Sequence, residues 1–130
     1  ANFELGHANL QVFPESFKGP RPEIRGAILE YTLLPDGNVE FKGILVDLMN
    51  NGPDGIKVDL EGNIYVAVKG NIFVYSPKGE QLEEIKVPNK SAKNLCFGRG
   101  EFSKTLFITT SKKLYTIEVN KEGFHIPFKK

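Results

Sequence analysis

An internal repeat constrains this chain more than any other feature of its sequence. Ile64-Tyr65-Val66 and Ile72-Phe73-Val74 fall on Leu106-Phe107-Ile108 and Leu114-Tyr115-Thr116 at a constant offset of 42 residues. Upstream, Gly55-Ile56-Lys57-Val58 falls on Asn94-Leu95-Cys96-Phe97 at an offset of 39, the difference being absorbed by the loop 98–103. A period near forty residues that carries four short strands is the size of one β-propeller blade. Turn dipeptides punctuate it at Asp36-Gly37, Asn51-Gly52, Asp54-Gly55, Glu61-Gly62, Lys69-Gly70, Lys78-Gly79 and Glu122-Gly123. Each lies beside an alternating or continuous apolar run.

Those signals predict strands over 27–33, 39–46, 56–58, 64–68, 72–75, 82–87, 95–97, 106–109 and 114–119, with 124–128 as a candidate further strand. No stretch of ten residues follows a helical period, so the expected class is all-β: a partial β-propeller of four-stranded antiparallel blades. Residues 26–48 read as a partial blade, 53–88 as a complete blade and 93–130 as a C-terminal blade. The segment 1–25 holds three prolines and little alternation, and reads as an irregular insertion or lid-like segment. Two to three blades are too few, because propellers close with about four to eight. Unpaired faces and edges would remain. Further blades are therefore expected from the same longer chain, from a second copy or from another chain.

Composition narrows the function. Lys and Arg total 17 against 16 Asp and Glu, and they are scattered rather than clustered, which argues against a nucleic-acid partner. Apolar runs are too short for a membrane helix, and no secretory leader pattern opens the chain. A cytoplasmic location is the expectation, with a processed secreted or periplasmic form left open by the initial Ala1. The single Cys96 can form neither an intrachain disulfide nor a cysteine-rich zinc site. Within Leu95-Cys96-Phe97 it reads as a small buried hydrophobe. There is no Gly-x-Ser-x-Gly elbow, phosphate loop or His-Glu-x-x-His. His7 and His125 flank the repeats without a catalytic neighbour, and Lys129-Lys130 reads as a solvated tail.

The run Gly52-Pro53-Asp54-Gly55-Ile56-Lys57-Val58-Asp59-Leu60-Glu61-Gly62-Asn63-Ile64-Tyr65-Val66-Ala67 resembles the signature blade of the gluconolactonase and regucalcin (senescence marker protein) family of six-bladed propellers. The resemblance continues through Ile72 to Gly79, Asn94 to Gly98 and Lys104 to Thr110, in the order of that family's C-terminal part. It implies a hydrolase acting on a sugar lactone or related ester with one divalent cation in the central channel. The aspartate of the family's Pro-Asp-Gly motif is a metal ligand and falls on Asp54. The resemblance thus assigns Asp54 as metal ligand and catalytic group. Calcium is the expected metal, with Mg²⁺, Mn²⁺ or Zn²⁺ open, because one carboxylate does not select among them.

From the residues alone, Asp54 has a competing reading as an ordinary Asp-Gly turn residue. Asp59, beside Glu61-Gly62, reads as closing a hairpin. Asn94 enters the inner strand of the next blade, and is either a channel-facing amide that binds substrate or a satisfied turn amide. The family's further ligands, a glutamate and asparagines of other blades, have no matching motif here. Glu4, Glu15 and Glu23 precede the recognisable region. The alternative to a hydrolase is a non-catalytic propeller module that binds or scaffolds by assembling with other blades.

Overall fold

A computed structural model describes residues 26–49 and 51–126. Three antiparallel sheets follow one another along the chain. The first pairs β1 (Ala27–Leu33) with β2 (Val39–Asp47). The middle sheet runs in the order β3 (Ile56–Val58), β4 (Ile64–Val68), β5 (Asn71–Tyr75), β6 (Gln81–Ile85). The third contains β7 (Asn94–Phe97), β8 (Thr105–Thr109) and β9 (Leu114–Glu118). Within each sheet sequential strands are neighbours, as in the up-and-down sheet of a propeller blade.

The middle sheet is packed on both faces. Ile64, Val66, Val68 and Tyr75 meet Ile28 and Val46 of the first sheet and Leu48 just after it. On the other face, Tyr65, Ala67, Ile72 and Val74 meet Leu95, Phe97, Leu106 and Ile108 from the third. That sandwiching explains why β4 reads as an uninterrupted apolar run: all five of its residues are buried, whereas a strand with one wet face would alternate. The Lys69-Gly70 turn into β5 has both residues at positive φ (56° and 79°), the geometry that a two-residue hairpin of this twist requires.

Alternation returns in the third sheet, and it moves Cys96. Leu95 and Phe97 face the middle sheet, while Asn94 and Cys96 point the other way. Cys96 is exposed rather than a buried hydrophobe, because the period of two puts it on the side away from the core. The first sheet likewise turns an apolar side outward. Tyr31 and Phe41 pack edge to face at 5.4 Å there, and Leu33, Val39 and Ile44 are exposed.

The expected strand over 124–128 is not formed in its described part, and 127–130 lie outside the described residues. After β9 the chain instead returns to the end of β3, where Gly123 bridges Asp59. Leu60 N–H donates to Glu122 O (2.8 Å) and Phe124 N–H to Val58 O (3.0 Å). Glycine is needed at 123 because any Cβ there would overlap the Phe97 side chain. His125 Nε2 donates to Gly98 O at 2.9 Å, a structural bond. Residues 1–25, with His7 and the three early glutamates, lie outside the described residues, as do Lys129 and Lys130. Among the described residues no helix is long and apolar enough to cross a membrane.

Asp59 closes the β3–β4 hairpin from inside. It is 2% exposed. Its Oδ1 accepts the backbone N–H of Glu61 (2.9 Å) and Asn63 (3.0 Å), and its Oδ2 accepts Asn63 Nδ2 (2.9 Å) and the Tyr65 hydroxyl (3.0 Å). Burial of Tyr65, reinforced by its bond to Asp59, raises its phenol well above the usual tyrosine range. The folded chain therefore holds that proton more tightly than the unfolded chain. Stability from this group is fully present below the unfolded value near pH 10 and falls as pH rises beyond it. We expect the urea midpoint to decline above about pH 10 and the Tyr65→Phe variant to decline less steeply. Parallel alkaline profiles for the two proteins would show that Tyr65 is not responsible.

Candidate functional site

Asp54 stands at the entrance to β3, two residues before the strand begins. Its backbone is fixed by the end of β4: Asp54 N–H donates to Ala67 O (2.8 Å) and Ala67 N–H to Gly55 O (2.9 Å). Gly55 N–H then donates to Lys93 O (3.1 Å), which ties this entrance to the entrance of β7 in the next sheet. Lys93 N–H is in turn held by Thr109 O (2.8 Å). The backbones of Asp54 and Asn94 are thereby brought together through one intersheet hydrogen bond and its two flanking residues.

Gly55 is what permits this approach. The Asn94 side-chain oxygen and α-carbon occupy the space that a Cβ on Gly55 would take. Asn94 is exposed, and its Oδ1 accepts the N–H of Leu95 at 2.8 Å, which orients the amide and leaves Nδ2 without a partner among the described residues. Gly52, three residues earlier, has nothing within 4 Å of its Cβ position. Gly55→Ala is therefore expected to displace Asn94 and destabilise this junction by about 1–3 kcal/mol, while Gly52→Ala leaves both unchanged. Denaturant midpoints of the two variants check this, and equal midpoints would contradict it.

The chemistry of Asp54 differs from that of every other aspartate in the chain. Asp36, Asp47 and Asp59 each accept the backbone N–H of the residue two positions on, at 2.9 Å in all three cases. This is the Asx-turn use of the side chain. Asp54, although followed by glycine, does not do this: its carboxylate is exposed and has no hydrogen-bond or ion-pair partner among the described residues. At neighbouring strand entrances, an unengaged carboxylate and an unengaged amide donor offer one hard oxygen ligand and one hydrogen-bond donor. It is not a complete metal site, since among the described residues no three His, Cys, Asp or Glu side chains cluster. Calcium takes about six to eight oxygen ligands, so Asp54 fits the donor type but supplies only part of the number. The role of Gly55 escapes the sequence reading. Its only signal is the 39-residue offset that sets Gly55 against Asn94.

Stacked antiparallel sheets, with inner strands that start beside one another at one end, define the blades of a β-propeller. A sequence profile described as the SMP-30/Gluconolactonase/LRE-like region matches residues 24–112, and the chain belongs to that family. It is 35% identical over 72 residues to a gluconolactonase of Zymomonas mobilis, covering 55% of this chain and 20% of that protein. An uncharacterized protein of Sulfolobus acidocaldarius is 32% identical over 83 residues, covering 60% of this chain and 30% of its relative. Among solved structures, one assigned to the gluconolactonases superposes with a TM-score of 0.68 at 30% identity, covering 78% of this chain and 34% of that one. The chain thus spans a fifth to a third of the length of these relatives.

Proposed function

We propose that this chain forms part of a metal-dependent lactonase, with Asp54 as a ligand of a divalent cation and Asn94 as a substrate-binding donor. The observation that carries the reading is the unengaged carboxylate of Asp54, in a chain that ties up its other three aspartates in turns. Hard oxygen chemistry suits Ca²⁺, Mg²⁺ and Mn²⁺ alike; the family resemblance puts Ca²⁺ first, with Zn²⁺ as a further alternative. When bound, the cation supplies Lewis acidity toward the carbonyl of a sugar lactone or related ester. Asp54 also orients the attacking water and accepts its proton. Water adds to the carbonyl carbon, the ring C–O bond breaks, the ring oxygen takes up the proton that Asp54 accepted, and a hydroxy acid leaves. Asn94 Nδ2 donates to a substrate oxygen and fixes the ring against the channel wall.

The missing ligands come from further blades, supplied by the same longer chain, a second copy or another chain. Apolar side chains left outward on the first sheet support such neighbours. Dialysis of the assembled protein against a chelator is expected to abolish glucono-δ-lactone hydrolysis, and added Ca²⁺ to restore it more fully than Mg²⁺, Mn²⁺ or Zn²⁺. Unchanged turnover in a preparation shown by elemental analysis to be free of divalent metal would refute the proposal.

A further inference from the structure

The end of the middle sheet that carries Asp54 also carries a second feature. An open hollow of about 650 Å³ is lined by Lys69, Asn71, Glu84, Lys86, Asn89 and Lys90, with Val87 at its base. It lies between the β4–β5 turn and the segment that leads from β6 into β7. Both margins connect directly to the candidate site. Lys69 is two residues beyond Ala67, whose carbonyl holds Asp54, or roughly 7 Å along the strand. Lys90 is four residues before Asn94, at most about 14 Å of extended chain.

Charge in the hollow is unbalanced. Three ammonium groups face one carboxylate. That carboxylate is engaged: Glu84 Oε2 accepts Asn71 Nδ2 at 3.0 Å, and Asn71 is buried, its Oδ1 accepting Val87 N–H at 2.9 Å. None of the three lysines lies within 4 Å of a carboxylate among the described residues. Two of the lysines sit on backbone of unusual conformation, with φ of 56° at Lys69 and 48° at Lys90, and Asn89 between the margins has φ of 60°. Tertiary bonds hold this rim in place: Ala92 N–H donates to Gly70 O (2.9 Å), Lys90 N–H donates to Val87 O (3.0 Å), and Gly70 lacks a Cβ where the Lys90 carbonyl passes. The backbone positions that carry the lysines are therefore set on one frame, with Lys86 next to the Val87 N–H that bonds Asn71.

We infer that this hollow binds a phosphate or carboxylate group carried by the substrate, so that the enzyme acts on an acidic or phosphorylated sugar lactone in preference to a neutral one. The anion site stands on the lysines alone, whereas its assignment to substrate rests on the lactonase reading above. Lys69, Lys86 and Lys90 grip the anionic oxygens as charge-assisted donors, with the Asn89 amide beside them. The lactone end of the same molecule then points toward Asp54 and Asn94. Lysine suits this role as a flexible point charge on phosphate.

The test uses the assembled protein and a triple variant, Lys69→Asn, Lys86→Gln and Lys90→Asn. Asparagine tolerates the left-handed backbone at 69 and 90, so the turn is kept while the charge is removed. Lys86→Gln alone, outside that turn, guards against a folding defect. A Lys78→Gln and Lys104→Gln double variant removes charge at the opposite end of the sheets. Inorganic phosphate and a sugar phosphate are titrated by ³¹P NMR, and turnover is compared on a phosphorylated and a neutral lactone. The expected result is at least tenfold higher kcat/KM for the phosphorylated lactone in the wild type and the double variant. That preference is lost in the triple variant and reduced several-fold in Lys86→Gln, with neutral turnover unchanged. No phosphate binding to the wild type, or equal binding to the triple variant, overturns the site. Phosphate binding that follows the lysines, with no preference between lactones that are both hydrolysed, overturns the substrate assignment in favour of a free-anion site. Lysine-dependent phosphate binding with no turnover of either lactone overturns the lactonase reading and leaves the anion site standing.

Discussion

Asp54→Ala in the assembled protein is expected to lower lactone hydrolysis by about 10²–10³-fold or more while moving global stability by less than about 0.5 kcal/mol. The two halves of that expectation come from the same geometry. The carboxylate is exposed and bonds to nothing among the described residues, so its removal leaves no orphaned donor and no cavity. Its backbone N–H, which holds the entrance of β3 to Ala67, is untouched by the substitution. Under the lactonase proposal, its contribution is therefore expected in activity and not in folding. Asp54→Asn sharpens the point, since it keeps the shape and removes the charge that a hard cation needs. Calorimetric titration with Ca²⁺ and initial rates on one lactone, run beside a urea melt, read both halves. A variant that hydrolyses lactone at the wild-type rate would end the assignment, and one that melts early would show that Asp54 has a structural partner.

The sequence displays the elements more readily than their meeting points. The turn dipeptides and the continuous run Ile64 to Val68 place β4 and its neighbours within a residue or two, because hairpin geometry and two-sided burial act locally. Even the one clear boundary error has a local cause. The strand expected to reach Val87 ends at Ile85, since the Val87 N–H leaves the ladder to bond the Asn71 side chain. Contacts between sheets are less legible. That Cys96 faces outward depends on which side of β7 meets the middle sheet, a choice that the triplet Leu95-Cys96-Phe97 cannot express. The return of Glu122 to Phe124 onto Val58 and Leu60 joins residues more than sixty apart. The lysines of the hollow come from two stretches, set together by the Asn71 bonds to Glu84 and Val87, the Ala92 bond to Gly70 and the close approach of Gly70 to Lys90. For Asp54 itself, the sequence left turn residue and ligand as competing readings. Among the described residues Asp54 makes no Asx bond, which leaves its carboxylate unengaged, a fact that the Asp-Gly dipeptide does not display.

The opposite behaviour is expected five residues further on, where Asp59→Ala should cost about 3–5 kcal/mol and leave the Asp54 end of the blades chemically intact. Domains of this size are stable by only about 5–15 kcal/mol, so much of the total is at stake. Removing the carboxylate strips four hydrogen bonds from inside the protein. The Tyr65 hydroxyl, Asn63 Nδ2 and the Asn63 N–H would be left buried beside the Tyr65–Phe97 edge-to-face pair, which stands at 5.0 Å and 84°. Water has little access to re-satisfy them, because Asp59 is 2% and Tyr65 3% exposed. The damage would spread to the third sheet, since the return segment is bonded on either side of Asp59, at Val58 and Leu60. A graded series separates hydrogen bonding from packing. Asp59→Asn keeps an oxygen for the two backbone donors but turns an amide toward Asn63 Nδ2, so it should fall between Asp59→Ala and Tyr65→Phe. Tyr65→Phe loses one bond and costs about 1–2 kcal/mol. Urea midpoints in that order would mark Asp59 as the buried knot of the hairpin. An Asp59→Ala protein as stable as the wild type would mean that the four bonds are replaced at no net cost, and the contrast drawn with Asp54 would have no energetic basis.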